Sequence, residues 1–125
     1  MNHPPPAPDV APFELAHCSH CQAWSYPPGA WGCRRCGAPA EALSPTAAPH
    51  EPVLLEFVTL HTELTTRLPV PCVIADVQLA PGVIEEALIA TDANTQLVHG
   101  MRLRAEPAPV EAGARWWFRP VEAQP

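Results

Sequence analysis

Apolar and β-branched residues are spread unevenly along the chain, and their pattern divides it near residue 52. From Val53 onward they come in runs separated by turn residues, the texture of a strand-rich module. The run Val53 to Thr62 places Val, Leu, Phe and Thr on both faces, as in a strand that curls through a barrel and changes neighbours. In the next run, Val70 to Leu79, alternation puts Val73, Ala75, Val77 and Leu79 on one face. Pro81-Gly82 then supplies a turn into Val83 to Thr91, which predicts a hairpin. Asp92-Ala-Asn94 is a second turn signal. Met101 to Ala105 alternates with Arg102 and Arg104 outward and apolar residues inward. Glu106 to Gly113 is expected as a proline-rich loop, and Arg115-Trp-Trp-Phe-Arg119 as a short closing strand bounded by Pro120. Five strands with no long amphipathic helix predict a mainly β fold, a small closed or partly open OB-type barrel over residues 53–120.

The first part of the chain has neither a period of 2 nor one of 3.6. Residues 1–12, rich in proline and alanine, predict a disordered tail, and residues 121–125 a second, shorter one. Residues 13–42 contain four of the five cysteines. Residues 43–52, with Pro45, Pro49 and Pro52, predict a stiff, extended linker to the barrel.

The cysteines change the picture, because a segment this short, whose apolar residues are mostly alanine and cysteine, cannot hold itself together by burial alone. Cys18-Ser-His-Cys21 and Cys33-Arg-Arg-Cys36-Gly37 are two Cys-x-x-Cys turns, each of which brings two sulfurs to one ion while backbone amides donate to the thiolates. The gap between them fits two short strands and a turn at Pro27-Pro28-Gly29, the layout of a rubredoxin-like zinc ribbon. The expected metal ligands are Cys18, Cys21, Cys33 and Cys36, with zinc in a closed, structural role. The same four sulfurs would also accept iron, and His17 or His20 could replace one cysteine as ligand. Arg34 and Arg35 can offset the negative charge of a tetrathiolate site, and Gly37 suits the positive φ a knuckle needs better than Gln22 does.

Composition excludes more than it selects. The formal charge is −6 and all seven basic residues are arginine, so the chain as a whole repels polyanions. Arg102, Arg104, Arg115 and Arg119 cluster in the last quarter and could form a local anion-binding face. The start lacks a cationic segment followed by an apolar run, and no apolar stretch is long enough to cross a bilayer, so a cytoplasmic protein with no membrane contact is expected. No catalytic residue emerges: His61, Glu63, Asp76 and His99 share no spacing that makes a triad or a metal site, and Cys72 is expected as a small buried residue. Trp24, Tyr26 and Trp31 are expected to pack the ribbon, the alternative being an exposed aromatic platform for a partner or a base, and Trp116, Trp117 and Phe118 to close the barrel, the alternative being a contact surface.

The order of these motifs, Cys18-x-x-Cys21, Pro27-Pro28, Cys33-x-x-Cys36-Gly37, then Gly100-Met101 and Phe118-Arg119-Pro120, resembles the zinc-ribbon OB-fold family of acyl-CoA-associated proteins. The resemblance runs from about Leu15 to Pro120. It departs from the family in its proline-rich start and in Gly29, where an arginine often follows the proline pair. It implies a non-catalytic accessory subunit of a thiolase-like enzyme, an acyltransferase or a steroid side-chain aldolase or thiolase. Such a subunit works in a hetero-oligomer and helps to bind or pass an acyl-CoA thioester. In that setting Arg102, Arg104, Arg115 and Arg119 become candidate contacts to coenzyme A. The alternative from another class is single-stranded nucleic-acid binding, which OB barrels achieve with stacked aromatics and a basic groove. The net charge opposes nucleic acid as a partner.

Overall fold

The computed structural model describes residues 12–29, 31–61, 72–91, 96–109 and 115–121. Eight strands appear among them: β1 (Glu14–Cys18), β2 (Trp24–Ser25), β3 (Leu43–Ala47), β4 (Val53–Leu60), β5 (Cys72–Ala80), β6 (Val83–Ile89), β7 (Leu103–Pro107) and β8 (Trp116–Pro120). The only helical element among the described residues is a single 3-10 turn at Ala40–Ala42. None of their helices is long and apolar enough to cross a membrane.

The strands form two sheets, one of order β2-β1-β3 and one of order β4-β5-β6-β8-β7. The expected linker is in part a strand. β3 pairs with β1 over five residues, from Glu14 opposite Ala47 to Cys18 opposite Leu43, so the ribbon extends to Ala47. Proline hid this element from the sequence, yet β3 lies at a sheet edge, where Pro45 opposite Ala16 loses no obligatory ladder bond. The same reason corrects the predicted loop at Glu106: Glu106 and Pro107 continue β7, opposite Trp117 and Trp116, at the far edge of the larger sheet.

The β5–β6 hairpin forms as the alternation requires. Val73 pairs with Ile89 and Ala75 with Ala87, and Gly82, at φ +79°, supplies the positive φ that a Pro-Gly turn needs. Val73, Ala75, Val77 and Leu79 are all buried. A register shift before Ala80 turns Leu79 and Ala80 inward together. In β4 a second shift, between Leu54 and Phe57, produces the mixed faces seen in the sequence: Leu54 is fully buried while Phe57 and Val58 are exposed.

The larger sheet curls, but its ladder does not close. Its edges meet at one bridge, Val53 with Arg102, supported by backbone bonds from Leu54 N to Met101 O and Leu103 N to Pro52 O. At the other seam β6 and β8 run parallel and share a single register pair, Ile89 with Phe118. The result is the partly open version of the predicted barrel. The turn expected at Asp92-Ala-Asn94 lies outside the described residues.

One hydrophobic core serves both sheets. Leu15 from β1 is fully buried in the cluster that contains Leu54, Val77, Leu79, Leu103 and Phe118. Phe13 joins them through edge-on contacts with Trp116 and Phe118, at centroid distances of 5.2 and 5.7 Å. Burial of each such Leu or Phe contributes about 1.5–3 kcal/mol, so the ribbon is fastened to the barrel by packing.

Candidate metal centre

The two knuckles are built alike. Cys18 N donates to Ala23 O and Gln22 N to Cys18 O; fifteen residues later Cys33 N donates to Ala38 O and Gly37 N to Cys33 O. This repeat makes Gln22 the counterpart of Gly37, and both have positive φ, +65° and +78°. A residue with a Cβ is strained in that region by roughly 1 kcal/mol, and Gln22 offsets little of it with an exposed side-chain bond to Ser19 O. Gln22→Gly is therefore expected to raise the stability of the metal-loaded chain by up to about 1 kcal/mol, and Gly37→Ala to lower it by a similar amount. Thermal midpoints of the two variants check this, and a midpoint that falls for Gln22→Gly contradicts it.

The knuckles bring four sulfurs together. The Sγ atoms of Cys18, Cys21, Cys33 and Cys36 all lie within 4.8 Å of one another, with Cys18 3.7 Å from Cys36 and Cys21 3.6 Å from Cys33. A tetrahedral ion with bonds of about 2.3 Å to sulfur needs sulfur separations of roughly 3.8 Å, so the donor set fits such an ion. Cys18 and Cys33 are buried beside Ala38 and Ala42, whereas Cys36 faces solvent. The N–H groups of Cys36 and Arg35 both donate to Cys33 Sγ at 3.4 Å and hold its thiol at about 6. Cys36 receives the Ala38 N–H, which lowers its pKa, but burial and the neighbouring Cys21, Cys33 and Cys18 thiols push it up to about 12. Four protonatable sulfurs in so small a volume cannot all ionise without a cation among them.

The histidines stand apart from this cluster: the His17 ring lies against Trp24 at a centroid distance of 4.5 Å, tilted by 43°, and His20 is exposed. Arg34 and Arg35 are exposed on the second knuckle. The aromatic residues divide. Trp24 and Tyr26 pack against the shared core, while Trp31, expected inside the ribbon, is 97% exposed. It directly precedes the Gly32–Pro39 bridge and lies outside the strands of the ribbon.

The four arginines do not converge on one point. Arg104 and Arg119 face each other across β7 and β8, and Glu106 accepts Arg119 through both carboxylate oxygens at 2.8–3.0 Å and Trp117 Nε1 at 3.0 Å. Arg102 pairs with Glu51 at 3.4 Å, and Arg115 lies 5.9 Å from the centre of the Trp116 ring. The hydrogen bonds from Arg119, with its charge, hold the Glu106 carboxyl below the usual carboxylate range. A depressed folded-state value gives stability that is complete above the ordinary glutamate pKa and is lost as pH falls through the folded value. Since both partners are partly exposed, Glu106→Gln is expected to cost under about 1 kcal/mol at neutral pH, a difference that vanishes in acid. Denaturation of both proteins across the acid range measures it, and a difference that persists or grows there contradicts the assignment.

Other residues with reactive side chains stay scattered. Cys72 is half-buried at the start of β5, opposite Leu60; His99 Nδ1 lies 3.1 Å from Leu55 O; His61 and Asp76 are exposed. Glu63 lies outside the described residues. The four cysteines are the one group among the described residues that could hold a metal ion.

No family model matches the sequence, and no curated protein matches it. Its fold is similar to that of a solved chain of an Ltp2-ChsH2(DUF35) aldolase, with a TM-score of 0.61 and 22% identity over 86% of this chain and 83% of that one. The fold is thus that of a four-cysteine ribbon followed by a β-sheet domain, shared over most of both chains.

Proposed function

We propose that this chain is a non-catalytic accessory subunit that binds a thiolase-like enzyme, an acyltransferase or a steroid side-chain aldolase or thiolase, and assists acyl-CoA thioester binding or transfer. The observation that carries the reading is the fold shared over most of both chains with a protein whose name joins a DUF35 component to an aldolase. The scatter of His61, Asp76, His99 and Cys72 agrees with a role that leaves chemistry to a partner. Zinc at Cys18, Cys21, Cys33 and Cys36 is structural in this proposal, because four thiolates leave no open position for substrate. Arg104 and Arg115, whose side chains are within ion-pair distance of no carboxylate among the described residues, are the better candidates among the four arginines for a coenzyme A phosphate. Affinity capture of the tagged full chain from its host tests the assignment. A thiolase-fold enzyme is expected to co-purify and to lose acyl-CoA turnover when the chain is removed. Capture without such an enzyme, or an enzyme indifferent to the chain, overturns it.

A further inference from the structure

Glu85 is in the wrong place for a carboxylate. It stands on the core-facing side of β6, directly opposite the fully buried Val77, between Val83 and Ala87 on the same face. The other inward positions of this hairpin are apolar. A half-buried charge there costs free energy unless something bonds to it. Among the described residues nothing bonds to it or to the Tyr26 hydroxyl nearby, and since no side-chain polar atom is both enclosed and unpartnered, both groups reach solvent. Both groups therefore have hydrogen-bonding capacity open to a bound molecule.

A cavity of about 330 Å³ adjoins both. It lies where β6 and β8 share a single pair, Ile89 with Phe118, so that among the described residues the β6 edge before it makes no ladder pair toward Arg115 and Trp116. Leu79, Ala87, Trp116 and Phe118 give it apolar walls, Tyr26, Glu85 and Arg115 provide polar groups, and the exposed Glu86 adds a second carboxylate to its lining. The Glu85 and Arg115 charges both act on the Tyr26 hydroxyl, whose pKa is raised first by burial and then by Glu85. All three polar groups thus lie around one space. An apolar cavity of about 150 Å³ takes benzene, so this one suits a body of about a dozen heavy atoms.

We propose that this cavity binds a small, uncharged, apolar molecule bearing a hydroxyl group. The apolar body lies against Leu79, Ala87, Trp116 and Phe118, while the hydroxyl donates to Glu85 and accepts from Tyr26 or Arg115. A hydroxyl is the one-atom group that can do both. Glu85 and Glu86 repel a carboxylate, and an ammonium, though attracted to them, has no lone pair to accept from Arg115. The site is independent of any partner enzyme, so its test uses the metal-loaded chain alone and its failure leaves the accessory role untouched.

The probe is 2-naphthol, titrated by calorimetry and by the shifts of Trp116 and Ala87 resonances. Saturable binding is expected with a dissociation constant below about 100 µM. Naphthalene, which lacks the hydroxyl, is expected to bind at least about tenfold more weakly, and 2-naphthoate more weakly than 2-naphthol. Glu85→Leu is expected to abolish the preference for 2-naphthol over naphthalene while raising the thermal midpoint by a few degrees, because an apolar residue suits that position better. Absence of saturable binding, equal affinity for 2-naphthol and naphthalene, tighter binding of 2-naphthoate, or an unchanged preference in Glu85→Leu would each overturn the proposal. The comparison of probes on the unaltered chain decides it even if the variant fails to fold.

Discussion

Stripping the metal from the loaded chain with a strong chelator, or replacing Cys33 by serine, is expected to unfold the ribbon and to destabilise the barrel with it. Cys33 is the most consequential of the four sulfurs to remove, because it is buried and receives two backbone N–H groups that no serine hydroxyl would meet at sulfur distance. The two knuckles themselves have little else to hold them. The β2 strand between them is two residues long, and the cluster around the cysteines contains only Ala38 and Ala42 as buried non-cysteine residues. Structural zinc supplies an apparent free energy on the order of 10–16 kcal/mol in small peptides, far above what two buried alanines contribute. Elemental analysis should find one zinc per chain before treatment. Circular dichroism should show loss of β structure after it, with Trp24 fluorescence moving to longer wavelength as its contact with the core is released. A chain that keeps its spectrum and its thermal midpoint without metal, with freely reactive thiols, would refute the structural role of the site.

How far the sequence revealed this site depended on whether a single local rule applied. The Cys-x-x-Cys pairs did so because ligand spacing is a short-range property, and the buried face of β5 because alternation has no competing signal there. β3 and the end of β7 did not, because Pro45 and Pro107 lower strand propensity while position at a sheet edge, a property of the whole topology, removes the penalty. The exposure of Trp31 depends on what the ribbon fails to cover, which no window of residues records. Gln22 was suspect in sequence only by contrast with Gly37, and its positive φ explains the contrast. Glu85 follows an alternating run and could be read only once Val77 was seen opposite it. The arginines illustrate the reverse case: a count of cations ignores Glu51 and Glu106, the acids that engage Arg102 and Arg119.

Leu15→Ala is expected to cost about 2–5 kcal/mol, although the residue belongs to the ribbon and lies only three positions from a metal ligand. The reason is where its side chain goes. Leu15 is on the central strand of the small sheet, between β2 and β3, yet it is fully buried in the barrel core with Leu54, Leu79 and Phe118. Truncation leaves a cavity whose walls come from two sheets, and each sheet is held in place by its own hydrogen bonds, so little collapse can relieve it. For a chain of this size the loss lowers the thermal midpoint by roughly 10–20 °C. Val58→Ala, on the exposed face of β4, serves as the control and should change stability by no more than about 0.5 kcal/mol. The coupling makes a second, sharper demand: in Leu15→Ala the metal should be lost at a lower temperature than in the unaltered chain, in the same transition as barrel unfolding. If the midpoint of the barrel falls while the metal stays bound through the transition, the two sheets unfold as separate units and the shared core does not fasten one to the other.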